Sequence, residues 1–90
     1  ISRLPELADV LKNEMTPVRD KLTKTFIFNE IEDFANQIKE IGASYGLDIL
    51  TDWGDVLFRQ AQSFDVEKLP GTLNYFTELV NKISSLAEKG

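Results

Sequence analysis

The chain has 90 residues, 42% of them apolar and 28% charged, which is the balance of one small folded domain, not a disordered segment. It contains no cysteine and no histidine, so disulfides, thiolate chemistry and the usual neutral-pH acid and base are excluded together. A net charge of −5 argues against binding to phosphate backbones or to an anionic membrane surface.

Apolar residues recur at helical spacing from end to end, and no stretch alternates with period two. Leu4, Leu7, Ala8, Leu11, Met15, Val18 and Leu22 form the first stripe. Thr16 followed by Pro17 reads as an N-cap and first helical position, which divides that stripe into two short helices sharing one face. Residues 23–27 break the pattern, and Thr25 or Asn29 is placed to cap the next helix. Ile27, Ile31, Phe34, Ile38, Ile41 and Tyr45 form the second stripe, which Gly46 is placed to end in a left-handed turn. Leu47 or Asp48 starts a third helix carrying Leu50, Trp53, Leu57, Ala61 and Phe64. Asp65 is a plausible cap for a short turn, and Pro70 opens or bends a last helix bearing Leu69, Leu73, Phe76, Val80, Ile83 and Ala87.

Helices are therefore expected near 4–14, 17–25, 28–45, 48–63 and 66–88. Short connections favour antiparallel neighbours. The predicted fold is all-α: an antiparallel up-and-down four-helix bundle with a short extra N-terminal helix, occupying residues 1–90 as a single domain. Fraying is expected at the first few residues and at Glu88–Gly90. No apolar run approaches the ~20 residues of a membrane span, and no secretory signal is visible. Because it begins at Ile1, the chain is expected to be a fragment of a longer, multidomain protein.

On a wheel of about 100° per residue, Asn36 falls opposite the apolar stripe of residues 27–45. Asparagine is a poor helix former, so its mid-helix position invites a reason. Glu32, Lys39, Glu40 and Ala43 lie within a turn of it. The plain alternative is a solvated helix face. Other candidates are weaker. Glu30, Glu32, Asp33 and Glu40 lie on different sides of the helix and lack calcium-loop spacing, so no metal site is expected. Asp52 and Asp55 read as solvated acids, and Ser44 and Ser63 have no histidine to activate them. Ala35 and Gly42 are suited to close approach of a neighbouring helix. Phe34, Tyr45, Trp53 and Phe76 stand at core spacing.

The stretch "ANQIKEIGASYG", residues 35–46, resembles the active helix of the histidine-phosphotransfer (HPt) family of two-component signalling. That helix reads alanine, histidine, any residue, leucine, lysine, glycine, and a second glycine six residues on. Ala35, Ile38, Lys39 and Gly46 match; Asn36 stands at the phosphohistidine position and Glu40 at the first glycine. Leu50, Leu57 and Phe64–Asp65 match the following helix, and the helix plan agrees over nearly the whole chain. The chain is more similar to histidine-lacking segments at the C-terminal ends of hybrid sensor histidine kinases than to active phosphotransfer domains.

The resemblance implies a degenerate HPt-like domain without catalytic residues or cofactors, from a cytoplasmic or membrane-attached parent. Such a domain would dock or regulate a receiver or kinase domain through Glu32, Asn36, Lys39, Glu40 and Ala43. An asparagine amide nitrogen is a poor nucleophile, because its lone pair is delocalised. Glu40 adds bulk and negative charge that would repel a phosphoryl group of about −2 charge. Glu40 also argues against a single-site replacement of a working histidine. The alternative is a generic helical interaction or dimerisation module using Phe26, Phe28, Phe58 or Tyr75, which fall off the main stripes.

Overall fold

The expected break at Thr16–Pro17 is absent. In the computed structural model, which describes residues 3–89, α1 (Leu4–Val10) passes through one π-helical turn (Leu11–Met15) into α2 (Thr16–Thr25). A proline inside a regular α-helix lacks an N–H, and its ring collides with the carbonyl one turn back. The wider π turn absorbs that conflict without a change of element. Thr16 is accordingly not an N-cap. It has helical dihedrals, and its hydroxyl donates to the Leu11 carbonyl at 2.8 Å. The two predicted N-terminal helices thus form one continuous rod.

The next corners are made by backbone conformation more than by side-chain caps. Phe26 ends α2 in the left-handed region (φ 51°), its N–H bonded to the Leu22 carbonyl. Extended Ile27 then leads into α3 (Phe28–Tyr45) with no side-chain cap, so neither Thr25 nor Asn29 takes the expected role. Gly46 does end α3 as expected, at φ 66°. Leu47 N–H reaches the Gly42 carbonyl at 2.8 Å and Gly46 N–H the Ala43 carbonyl at 3.2 Å, a Schellman-type closure. One extended residue, Leu47, separates it from α4 (Asp48–Gln62).

α4 ends in the same manner, with Phe64 in the position usually given to glycine (φ 56°). Asp65 then caps the following turn. Its carboxylate accepts from Lys68 N–H at 3.2 Å and its carbonyl from Leu69 N–H at 3.0 Å. α5 (Leu69–Lys89) starts three residues later than residue 66, with Pro70 in its first turn, where no helical N–H bond is lost. Of the ends expected to fray, the first few residues and Glu88–Gly90, residues 1, 2 and 90 lie outside the described residues, whereas Glu88 and Lys89 belong to α5.

All described elements are helical. The radius of gyration, 12.6 Å, is close to the ~12 Å of a compact chain this long. Leu7, Leu11, Ile31, Phe34, Ile38, Leu50, Leu57, Leu73, Phe76 and Leu79 are almost wholly buried and make the core. Phe34, Trp53 and Phe76 meet at its centre, with ring centroids 5.3–6.2 Å apart. The Trp53 indole N–H is satisfied by the Thr72 carbonyl at 3.1 Å.

Four stripe members depart from expectation. Val18, Ile27 and Phe64 are exposed, the last at 64%. The two phenylalanine-bearing corners rotate the chain there, so helical phase no longer governs residues 27 and 64. Tyr45 sits at the periphery, its hydroxyl donating to Glu6 at 3.0 Å and its ring under Arg3. Partial burial and the Glu6 hydrogen bond push its phenol above the ordinary 10.0.

The buried charged side chain is Arg19, which donates to the Leu73 carbonyl and the Thr77 hydroxyl, both at 2.9 Å, and to Asp20. It ties α2 to α5. Among the described residues, no helix is long and apolar enough to cross a membrane.

Candidate functional site

α3 places the predicted docking residues because its two faces differ. Ile31, Phe34, Ala35, Ile38 and Gly42 are buried, which leaves Asn36, Glu40 and Ala43 exposed on the outer ridge and Glu32 half-buried beside them. The Asn36 side chain has no hydrogen-bond partner among the described residues. Its exposure at mid-helix is therefore not explained by a structural hydrogen bond.

Lys39 behaves differently from the other four. Small residues let α4 approach α3 closely. A Cβ on Gly54 would lie 2.7 Å from Lys39 Cγ and 3.0 Å from the Ala35 carbonyl oxygen. A Cβ on Gly42 would meet the Thr51 side chain and lie 2.8 Å from its backbone nitrogen. The Lys39 stem consequently lies across α4. Its ammonium reaches Asp55 Oδ1 at 3.5 Å and stands 5.4 Å above the Phe58 ring. Asp55 is shared, its second oxygen forming an ion pair with Arg59 Nε at 3.1 Å.

The ridge is thus electrostatically uneven. Around Asn36, one turn to either side, stand Glu32 and Glu40, while the nearest cation is partly neutralised by Asp55. Three residues from α4, Asp55, Phe58 and Arg59, join the face that α3 presents. From sequence alone Asp55 is expected as a solvated acid and Phe58 as an off-stripe aromatic. The Asp55/Arg59 spacing of four was the available signal, but only α3–α4 packing brings it beside Lys39.

Chemically, the ridge offers hydrogen-bonding and charged groups. The Asn36 amide cannot accept and release a phosphoryl group as an imidazole nitrogen does, and the chain has no histidine. Among the described residues, no three carboxylates gather closely enough to hold a metal ion.

The aromatics named for a generic interface do not make one shared exposed patch. Phe26, Phe28 and Phe58 are half-buried against the core, and Phe28 packs edge-on to Phe26 and Phe64 at 5.5 and 4.9 Å. Tyr75 is exposed on α5, where its hydroxyl accepts from Lys82. Comparison with protein-family models, with curated proteins and with solved structures finds no match to this chain.

Proposed function

We propose that this chain is a non-catalytic docking module, a degenerate HPt-like domain of a two-component phosphorelay protein. The α1–α2 rod, α3, α4 and α5 would form its antiparallel up-and-down four-helix bundle. Cross-helix pairs support that arrangement. Lys39 with Asp55 and Gly42 with Thr51 run in opposite order along α3 and α4. Arg19 meets Thr77 while Lys12 and Ser84 line one surface hollow, which is again the opposite order.

The observation that carries the functional reading is Asn36, exposed and unpaired at the middle of α3 between two glutamates. The module would receive a receiver or kinase domain on the ridge of Glu32, Asn36, Lys39, Glu40 and Ala43 without accepting phosphate. Its parent would be a hybrid sensor histidine kinase, with this module on the cytoplasmic side.

Incubation with a phosphorylated receiver from the same signalling protein should leave no stable label on the chain. Asn36→His alone should not restore transfer, because Glu40 still opposes the phosphoryl group. Chemical-shift mapping with that receiver should perturb residues around Asn36. The substitution Ala43→Arg, at an exposed position, should weaken binding by at least about tenfold, or ~1.4 kcal/mol. Stable labelling overturns the non-catalytic reading. Shifts that avoid the ridge overturn the docking one.

A further inference from the structure

α4 has a second outward side. Its side toward α3 carries Thr51, Gly54, Asp55 and Phe58, whereas Ile49, Asp52 and Val56 face a trough beside α5. Two adjoining hollows of about 590 and 470 Å³, both bordered by Ile49, make up this trough. It starts at Glu67 in the turn before α5 and follows α5 to Leu86, the helical part from Leu69 running ~26 Å at the helical rise. Trp53, hydrogen-bonded to the Thr72 carbonyl, forms part of its floor with Leu79 and Ile83. Its walls carry apolar side chains well open to solvent: Ile49 at 42%, Val56 at 46%, Tyr75 at 37% and Leu86 at 48%.

Aliphatic surface aligned along one trough, in a domain this small, is what a helix-in-groove contact requires. The rim supplies the charge. Asp52, Glu67 and Glu78 border the trough and make no ion pair within 4.0 Å among the described residues, although Glu78 attracts the Lys82 ammonium one turn on. Of the two bordering lysines, Lys68 is open and Lys82 places its ammonium 2.8 Å from the Tyr75 hydroxyl.

We propose that this trough binds an amphipathic partner helix whose aliphatic stripe is flanked by lysine or arginine. The aliphatic stripe covers Ile49, Val56, Tyr75 and Leu86, and the basic flanks face Asp52, Glu67 and Glu78. A second copy of the chain suits the trough poorly, because it brings the same acidic rim and another −5 of charge. A small molecule would occupy only one of the two hollows. The trough is separate from the Asn36 ridge, so the proposal stands or falls independently of receiver docking.

Trp53 is the chain's single tryptophan and reports from the trough floor. The probe is a synthetic helix of about 18 residues, long enough to run the trough, with leucines at i, i+3/i+4 and i+7 and lysines on both flanks. A matched peptide carries glutamates in place of the lysines. Tryptophan fluorescence and titration calorimetry should show saturable binding of the lysine peptide, at least about tenfold tighter than the glutamate peptide. Binding should weaken as salt rises from about 50 to about 300 mM. Val56→Asp and Leu86→Asp, both exposed and checked for helicity by circular dichroism, should abolish it, while Val18→Asp on α2 should not. Absence of saturable binding overturns the proposal, as does equal binding of both peptides or indifference to Val56→Asp. A dimer seen by ultracentrifugation and removed by Val56→Asp assigns the trough to a second copy and also overturns it.

Discussion

Substituting Gly42 by alanine sets two effects of opposite sign against each other. Gly42 lies inside α3, so alanine should stabilise the helix by ~1 kcal/mol through intrinsic propensity. Its new Cβ, however, would stand 2.8 Å from the Thr51 backbone nitrogen and 3.2 Å from Thr51 Cα. Ordinary contact begins near 3.4 Å, so α3 and α4 must part by about 0.6 Å at this point. The obstacle is backbone, which no rotamer change relieves. Overpacking of this kind costs ~1–3 kcal/mol, so the expected net loss is about 1 kcal/mol. In a domain of this size that lowers Tm by about 4–8 °C.

Thermal and urea unfolding followed by circular dichroism would measure it. Thr51→Ala should rescue only part of the loss, because it removes the hydroxyl and leaves the backbone contact. Gly71→Ala is the internal control, since a Cβ there meets nothing within 4 Å and should cost no stability. A Gly42→Ala variant as stable as Gly71→Ala would refute the close helix approach that carries Lys39 across α4.

Gly46→Ala should lose about 1–2 kcal/mol by chemical denaturation for a different reason, a left-handed φ of 66° with no steric neighbour; Gly46→Asn should lose less. Arg19→Ala should cost about 3 kcal/mol, since three hydrogen bonds from a charged group, one of them to exposed Asp20, and its stem packing disappear. Arg19→Met keeps the stem and leaves Thr77 near solvent, so its cost should be about 1 kcal/mol. Equal losses in the two variants would assign the effect to the charge and not to packing. Glu6→Gln should bring the Tyr45 phenol back toward 10.0, read from its ring resonances during titration. In the unsubstituted chain the folded state holds that proton more tightly than the unfolded state. Stability should therefore fall as pH rises above 10 through the raised folded value, and the fall should be smaller in Glu6→Gln.

Helical periodicity alone determined much of this protein. An apolar residue every third or fourth position has one stable solution, burial of a helical stripe, so the all-helical class and most of the core follow from local spacing. Gly46 was legible because glycine tolerates a left-handed φ without penalty. Asn36 was legible as exposed because it lies opposite a stripe that must be buried. Tertiary structure decided what local rules leave open. Pro17 admits either a break or a π turn, and the common core face of α1 and α2 selects the turn. Phe26 and Phe64 occupy left-handed corners where glycine is the usual choice, a cost of about 1–3 kcal/mol each that only surrounding contacts such as the Phe28 stacking can offset. Lys39 is a generic surface lysine in one dimension. In three, Gly54 lets it lie across α4 to Asp55, and that pairing leaves the glutamates to set the charge around Asn36.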